Sequence, residues 1–159
     1  MQSVLGNEGK VRLQASEMYL IDDIVYKGKS YGSKFKMRHD ILAEYKDKVF
    51  VLDTKYKRLS RFDEDPEIMD ASLSDVKDAD LRQIGEYAIK RGLLEGYLLY
   101  PMYRYEEADL YSPQLLKRIT VDGKDYVVTI YIVRLPFVFE DDVEHTKQML
   151  ATSIQTIFQ

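Results

Sequence analysis

The sequence contains no cysteine. That excludes disulfides, thiolate zinc sites and cysteine nucleophiles, and it fits a cytoplasmic protein. Histidine is scarce as well: His39 and His145 are the only two. They are too few for a histidine-rich metal centre, and no Ser-His-Asp triad is suggested. No Gly-rich phosphate loop is present, so the chain is not expected to bind or hydrolyse nucleotide itself. No apolar run approaches the roughly 20 residues of a membrane span, and Met1 to Arg12 lacks the apolar core of an export signal. Internal repeats, low-complexity tracts and dividing linkers are missing too. What remains reads as one domain over residues 1–159, with 45% hydrophobic and 31% charged residues. That is an ordinary globular composition with enough chain for a core.

The net charge of −4 hides a partition. From Lys27 to Arg61, eleven Lys and Arg stand against Asp40, Glu44, Asp47 and Asp53, a net of +7. From Phe62 to Asp80, eight acids stand against Lys77, a net of −7. A local positive field suits a phosphate-backbone binder whatever the overall charge. Basic residues alternating outward on half-exposed strands would give the same count.

Residues 1–10 lack periodicity and are expected to be irregular. Val11, Leu13, Met18, Leu20 and Ile21 suggest one or two short strands up to Asp22. Ile24-Val25-Tyr26 leads into a turn at Lys27-Gly28-Lys29, and Tyr31-Gly32-Ser33 is a second turn. Phe35 to Tyr45 and Val49 to Lys57 read as an antiparallel hairpin joined by a short polar connection. In the second strand Val49, Val51, Asp53 and Lys55 share one face. Phe50, Leu52, Thr54 and Tyr56 share the other. Both faces start apolar, which predicts an interior strand covered on both sides.

Leu59 to Lys77 is acidic, contains Pro66 and reads as a long loop. Asp78 or Asp80 is expected to N-cap a helix to about Arg91, with Gly92 as its stop. Leu81, Ile84, Ala88 and Ile89 form the predicted buried stripe, with Gln83 and Tyr87 one turn apart beside it. Gly96 to Tyr100 is a short buried strand closed by Pro101. Strand, loop, helix, strand favours a crossover and parallel pairing. Tyr103 to Pro113 is a tyrosine-rich loop whose Tyr103, Tyr105 and Tyr111 could stack on bases or simply pack. Leu116–Val121 and Tyr126–Leu135 flank an Asp122-Gly123 turn. Glu140 to Phe158 reads as a final helix with Asp141 and Asp142 in its first turn and Val143, Leu150, Ile154 and Ile157 on one stripe. The fold class is therefore α/β, with a mixed central β-sheet flanked by helices.

The chemistry gathers where apolar strands carry charges. If the hairpin pairs in this register, Asp40 and Asp53 approach each other, and two close carboxylates repel unless a cation lies between them. Hard oxygen donors favour Mg²⁺ or Mn²⁺. Lys55, two residues after Asp53, could position a water or stabilise charge on a phosphoryl oxygen. A lone Asp-x-Lys is short and frequent, and a strand-end salt bridge explains it equally well.

The wider pattern resembles the PD-(D/E)XK nuclease superfamily, and within it the nuclease subunit of McrBC-type modification-dependent restriction systems (McrC) and related restriction endonuclease subunits. The segments that carry the resemblance are Asp40-Ile41-Leu42, Val51-Leu52-Asp53-Thr54-Lys55-Tyr56-Lys57, Gln83-Ile84-Gly85-Glu86-Tyr87-Ala88 and Gly96-Tyr97-Leu98-Leu99-Tyr100-Pro101. They occur in the family's order and cover roughly Ile24 to Pro101.

The resemblance implies a restriction-endonuclease-like core and a Mg²⁺-dependent endodeoxyribonuclease. It implies metal ligation by Asp40, Asp53 and the backbone carbonyl of Thr54, a catalytic Lys55 that orients water, and a cleft lined by Gln83 and Tyr87. The partners it implies are DNA and an AAA+ GTPase motor subunit (McrB-like). Two departures stand out. His39 replaces the usual proline before the first acid, and no helix bearing an acid precedes Val11; the upstream acids are Glu8 and Glu17. The chain is therefore expected to be a fragment whose first core helix lies outside it. Two other readings stay open: a catalytically silent scaffold that stimulates the motor, and a stand-alone repair or structure-selective nuclease.

Overall fold

The computed structural model of the chain describes residues 1, 5–15, 18–57, 59, 62, 64–102, 114–136 and 143–159. Six strands form the central sheet: β1 (Gly9–Ala15), β6 (His39–Tyr45), β7 (Lys48–Thr54), β8 (Glu95–Met102), β10 (Lys124–Pro136) and β9 (Gln114–Val121), in that spatial order. β1, β6 and β7 pair antiparallel, β7 with β8 and β8 with β10 parallel, and β10 with β9 antiparallel. Four short strands, β2 (Tyr19–Ile21), β3 (Val25–Tyr26), β4 (Lys29–Ser30) and β5 (Lys34–Lys36), form two small ribbons between β1 and β6. Among the described residues three helices accompany the sheet: α1 (Pro66–Ser74), α2 (Asp78–Lys90) and α3 (Val143–Ile157). The architecture is α/β with a mixed central sheet. Among the described residues no helix is long and apolar enough to cross a membrane.

The period-2 pattern of β7 explains its central place. Phe50 and Leu52 pack into one core layer with Tyr97, Leu99, Leu135 and the Ile154, Ile157 and Phe158 end of the chain. Val51 faces the other layer with Leu42, Leu98, Ile130 and Ile84 of α2. A strand covered on both faces tolerates only apolar residues until it emerges, and β7 is fully buried from Val51 to Leu52. The connection from β7 to β8 runs through α1 and α2 and returns parallel, as the strand, helix, strand order predicts.

Several local expectations are corrected. Phe35 to Tyr45 is not one strand. Phe35 takes a left-handed φ of 59° and Met37 turns into the core at 2% exposure, so β5 leaves to pair with β2. The acidic stretch after Leu59 contains α1. Asp65 is its N-cap, accepting hydrogen bonds from the N–H groups of Glu67 and Ile68, and Pro66 sits in the first turn. Proline there is a helix starter, because its missing N–H would have no partner anyway.

The N-cap of α2 is Lys77 rather than an aspartate, with Asp78 and Asp80 in the first turn. Its buried stripe is Ile84, Gly85 and Ala88; Leu81 is partly buried and Ile89 is 37% exposed. Pro101 does not end β8, which continues to Met102 with Pro101 opposite Leu135. β7 has already left the sheet after Thr54, so a missing N–H is tolerated on that side. Near the start, a single 3-10 turn at Gly6–Glu8 leads straight into β1. The final helix is described from Val143, with Val143 exposed and Ile154 and Ile157 buried. Glu17, Tyr103, Tyr105, Tyr111, Asp141 and Asp142 lie outside the described residues.

Candidate active site

The β6–β7 hairpin turns at Lys46 and Asp47, which both take left-handed φ angles of 48° and 62°. This two-residue primed turn matches the twist of the flanking strands and fixes the register. Ile41 lies opposite Leu52, the last pair of the ladder toward the open end. One step further the same register sets Asp40 against Asp53. Asp40 is held by Thr54: its Oδ2 accepts from the Thr54 N–H at 3.0 Å and from the Thr54 hydroxyl at 2.7 Å. These bonds use one of its two oxygens.

Asp53 is 3% exposed. Burial pushes its carboxyl above the usual carboxylate range, the Lys55 ammonium works against this, and the neighbouring Asp40 charge adds to the rise. Oδ2 of Asp53 rests against the Lys55 ammonium. Lys55 also reaches Asp80 Oδ1 at 2.9 Å. Burial pulls the ammonium down, but its contacts with Asp53 and Asp80 prevail and raise it above the ordinary lysine value. Lys55 is therefore a cation at neutral pH, suited to donating hydrogen bonds rather than taking a proton. Its backbone is anchored too, donating to the Leu99 carbonyl at 2.8 Å.

Gln83 and Tyr87 lie one turn apart on α2, where Gln83 Nε2 donates to the Tyr87 hydroxyl at 3.0 Å. The Tyr87 ring meets the His39 imidazole edge-on at 4.5 Å. His39 is 1% exposed, and its Nε2 accepts from Arg91 Nε at 2.9 Å. The structure thus brings Gln83 and Tyr87 to the residue preceding Asp40. Lys55 meets α2 one turn earlier, at Asp80.

Two members of the constellation escape a reading of the sequence. Asp80 looks like a helix cap, yet it lies in the first turn and bonds Lys55. Tyr100 looks like core. Its buried hydroxyl faces the Asp80 and Asp53 carboxylates without forming a hydrogen bond of normal geometry. Burial first, then those two charges, holds its proton on. The signal for Tyr100 is its alternation with Leu98, which puts it on the face turned to α2.

The donor set can be tested against a divalent cation. Asp40 and Asp53 provide hard oxygens at the open end of one hairpin, where burial first, and the Asp40 charge only after it, raises the Asp53 carboxyl. Among the described residues no group of three acids or histidines converges on one point. The fit is therefore to two carboxylates supplemented by backbone oxygen and water, a mode that suits Mg²⁺.

A shallow groove lies between the start of α2 and β9, lined by Asp78, Leu81, Arg82, Leu115, Lys117 and Ile130. Neither Asp40, Asp53 nor Lys55 lines it.

No curated protein matches the chain in a sequence search. Residues 1–101, which include Asp40, Asp53, Lys55, Asp80, Gln83 and Tyr87, match the family described as McrBC 5-methylcytosine restriction system component. With nearly two thirds of its length and the whole β6–β7–α2 constellation inside that match, the chain belongs to this restriction-system family.

Proposed function

We propose that this chain is the DNA-cleaving component of a McrBC-like restriction system, with a PD-(D/E)XK type core. The observation that carries the reading is the meeting of Asp40 and Asp53 at the open end of the hairpin, with the Lys55 ammonium on Asp53. Asp40, Asp53 and the Thr54 backbone carbonyl would hold Mg²⁺, or Mn²⁺ in its place. The bound cation supplies Lewis acidity to a phosphodiester oxygen and to a water.

Lys55 remains protonated, so its part is to donate to the attacking water or to a nonbridging phosphate oxygen and fix the in-line geometry. Asp80 holds Lys55 from the helix side. Gln83 and Tyr87, bonded to each other and packed on His39 through the Tyr87 ring, would line the substrate cleft. The family supports a further expectation, that an AAA+ GTPase subunit translocates DNA and gates cleavage.

The test is cleavage of plasmid DNA with Mg²⁺ or Mn²⁺, by wild type and Asp53→Ala, each with and without the motor subunit. Wild-type cleavage that Asp53→Ala abolishes supports the mechanism. Cleavage that survives Asp53→Ala overturns it.

A further inference from the structure

Between β1 and β6 the chain leaves the central sheet as a two-stranded arm, residues 18–37. Its inner ribbon pairs Tyr19 with Lys36 and Ile21 with Lys34. Its tip pairs Val25 with Ser30 and Tyr26 with Lys29 around Lys27 and Gly28. Almost every residue in it is exposed, including Val25 at 66%, Tyr26 at 61%, Tyr31 at 51% and Phe35 at 69%. Large apolar side chains held in solvent over a whole ribbon mark a surface with a partner.

The charges on the arm indicate which partner. Its acids are engaged: Asp22 holds Lys90 of α2 at 2.6 Å, and Asp23 accepts from the Ser30 hydroxyl and the Gly32 N–H inside the arm. Its lysines are not. Lys27, Lys29, Lys34 and Lys36 are exposed and form no ion pair with any described carboxylate. Lys27 lies over the Tyr26 ring at 5.5 Å and Lys29 over the Tyr31 ring at 5.7 Å. These contacts set each ammonium against a tyrosine ring of the arm without neutralising its charge. The arm therefore offers four unneutralised cations on a ribbon, complementary to a polyanion.

The arm is also rooted at the chemistry. The last ladder pair of β1 and β6 is Ala15 with His39, and the arm spans the interval between them. Lys36 is four residues from Asp40, so their Cα atoms are at most about 14 Å apart. That distance corresponds to about four base pairs of duplex.

We propose that the 18–37 arm is a duplex-DNA clamp, its ribbon lying in the major groove and its four lysines on the phosphates flanking the bond to be cut. A two-stranded ribbon is one of the shapes the major groove admits. The proposal rests on the nuclease reading for its substrate class, but it concerns binding and is testable without cleavage.

The probe is a fluorescein-labelled random-sequence DNA duplex, titrated by anisotropy in EDTA over a salt series. A single strand of the same sequence is titrated alongside. The Lys27→Gln/Lys29→Gln/Lys34→Gln/Lys36→Gln variant is expected to bind duplex at least roughly tenfold more weakly, with the slope of log K against log salt reduced by about 3. The matching Lys→Arg quadruple variant should retain wild-type affinity, and thermal melts of all three proteins should coincide.

Unchanged duplex affinity and slope in the Gln variant would overturn the clamp. So would a loss confined to the single strand, loss of affinity for a motor subunit with DNA binding intact, or absence of duplex binding by the wild type. Metal-dependent plasmid cleavage, measured separately with Asp53→Ala, decides the nuclease reading, so the two can fail independently.

Discussion

Asp53 carries an electrostatic burden that its neighbours only partly relieve. Its carboxyl is buried beside Asp40, and even the Lys55 contact leaves its pKa raised. The folded state then binds a proton more tightly than the unfolded chain. Stability contributed by this group is lost as pH rises from the unfolded value of 3.8 through the raised folded value. At neutral pH the ionised form is a net cost. Asp53→Asn is therefore expected to raise the melting temperature of the metal-free protein at neutral pH. Added Mg²⁺ should raise the wild-type melting temperature by binding the folded state and leave the variant unmoved. Scanning fluorimetry with EDTA and with Mg²⁺ checks both; a variant that melts lower without metal would contradict the account.

Lys55 has the opposite sign. Two carboxylates raise its pKa against the pull of burial. Replacing Asp80 by Asn removes one of them, so the value falls and the cation is lost at lower pH. The alkaline limb of the cleavage-rate profile should move to lower pH in Asp80→Asn, while the acid limb stays in place. A profile scaled down without a shift would assign Asp80 a purely structural part.

At the scale of elements, helix α2 and strand β8 are fitted to each other with no slack at one point and room at another. A Cβ on Gly96 would stand 2.8 Å from Ile84 Cγ1 and 3.4 Å from the Ile84 carbonyl. Gly96→Ala should thus push α2 off the sheet and cost about 1–3 kcal/mol. Because α2 carries Asp80, Gln83 and Tyr87, cleavage should fall with it. Gly85 is different. It is a helical residue whose added Cβ meets nothing nearer than Ile130 Cδ1 at 3.7 Å. Gly85→Ala should raise stability by about 0.5–1 kcal/mol through helix propensity. Urea denaturation of the two variants gives the contrast directly.

The same elements show what a sequence discloses and what it does not. The β6–β7 hairpin and the parallel return to β8 were legible, because alternation and an apolar two-faced strand are local signals. Helix α1 was hidden because Pro66 reads as a breaker unless the Asp65 cap before it is weighed. The break at Phe35–Met37 was hidden because a left-handed φ on a phenylalanine leaves no mark in a pattern of apolar residues. Asp40 and Asp53 could be set together from register alone. The Lys55–Asp80 bond could not, since it depends on how α2 lies across the sheet.

For the molecule as a whole, the sheet is closed on one side by α2 and on the other by α3 and the chain end. Phe158 packs edge-on to Phe50 at 4.6 Å and near Tyr45 at 6.0 Å, and it is 7% exposed. Phe158→Ala should cost about 3–5 kcal/mol, read by urea denaturation as a lowered midpoint. The layer it anchors lies beneath Leu52, on the face of β7 away from Asp53. The loss should thus appear in stability, with cleavage below the melting temperature unchanged.

The tight turn at Lys46–Asp47 and the long arm at 18–37 lie at opposite ends of β6, with the paired acids at the arm end. One added residue in the turn would slide β7 against β6 and set Asp53 beside a residue of the wrong face. Residues added to or removed from the tip of the arm leave that alignment untouched. The protein therefore has one end where length is locked and one where it is free. Variation in what the chain grips can accumulate, or be engineered, at the arm while the spacing of its carboxylates is inherited unchanged.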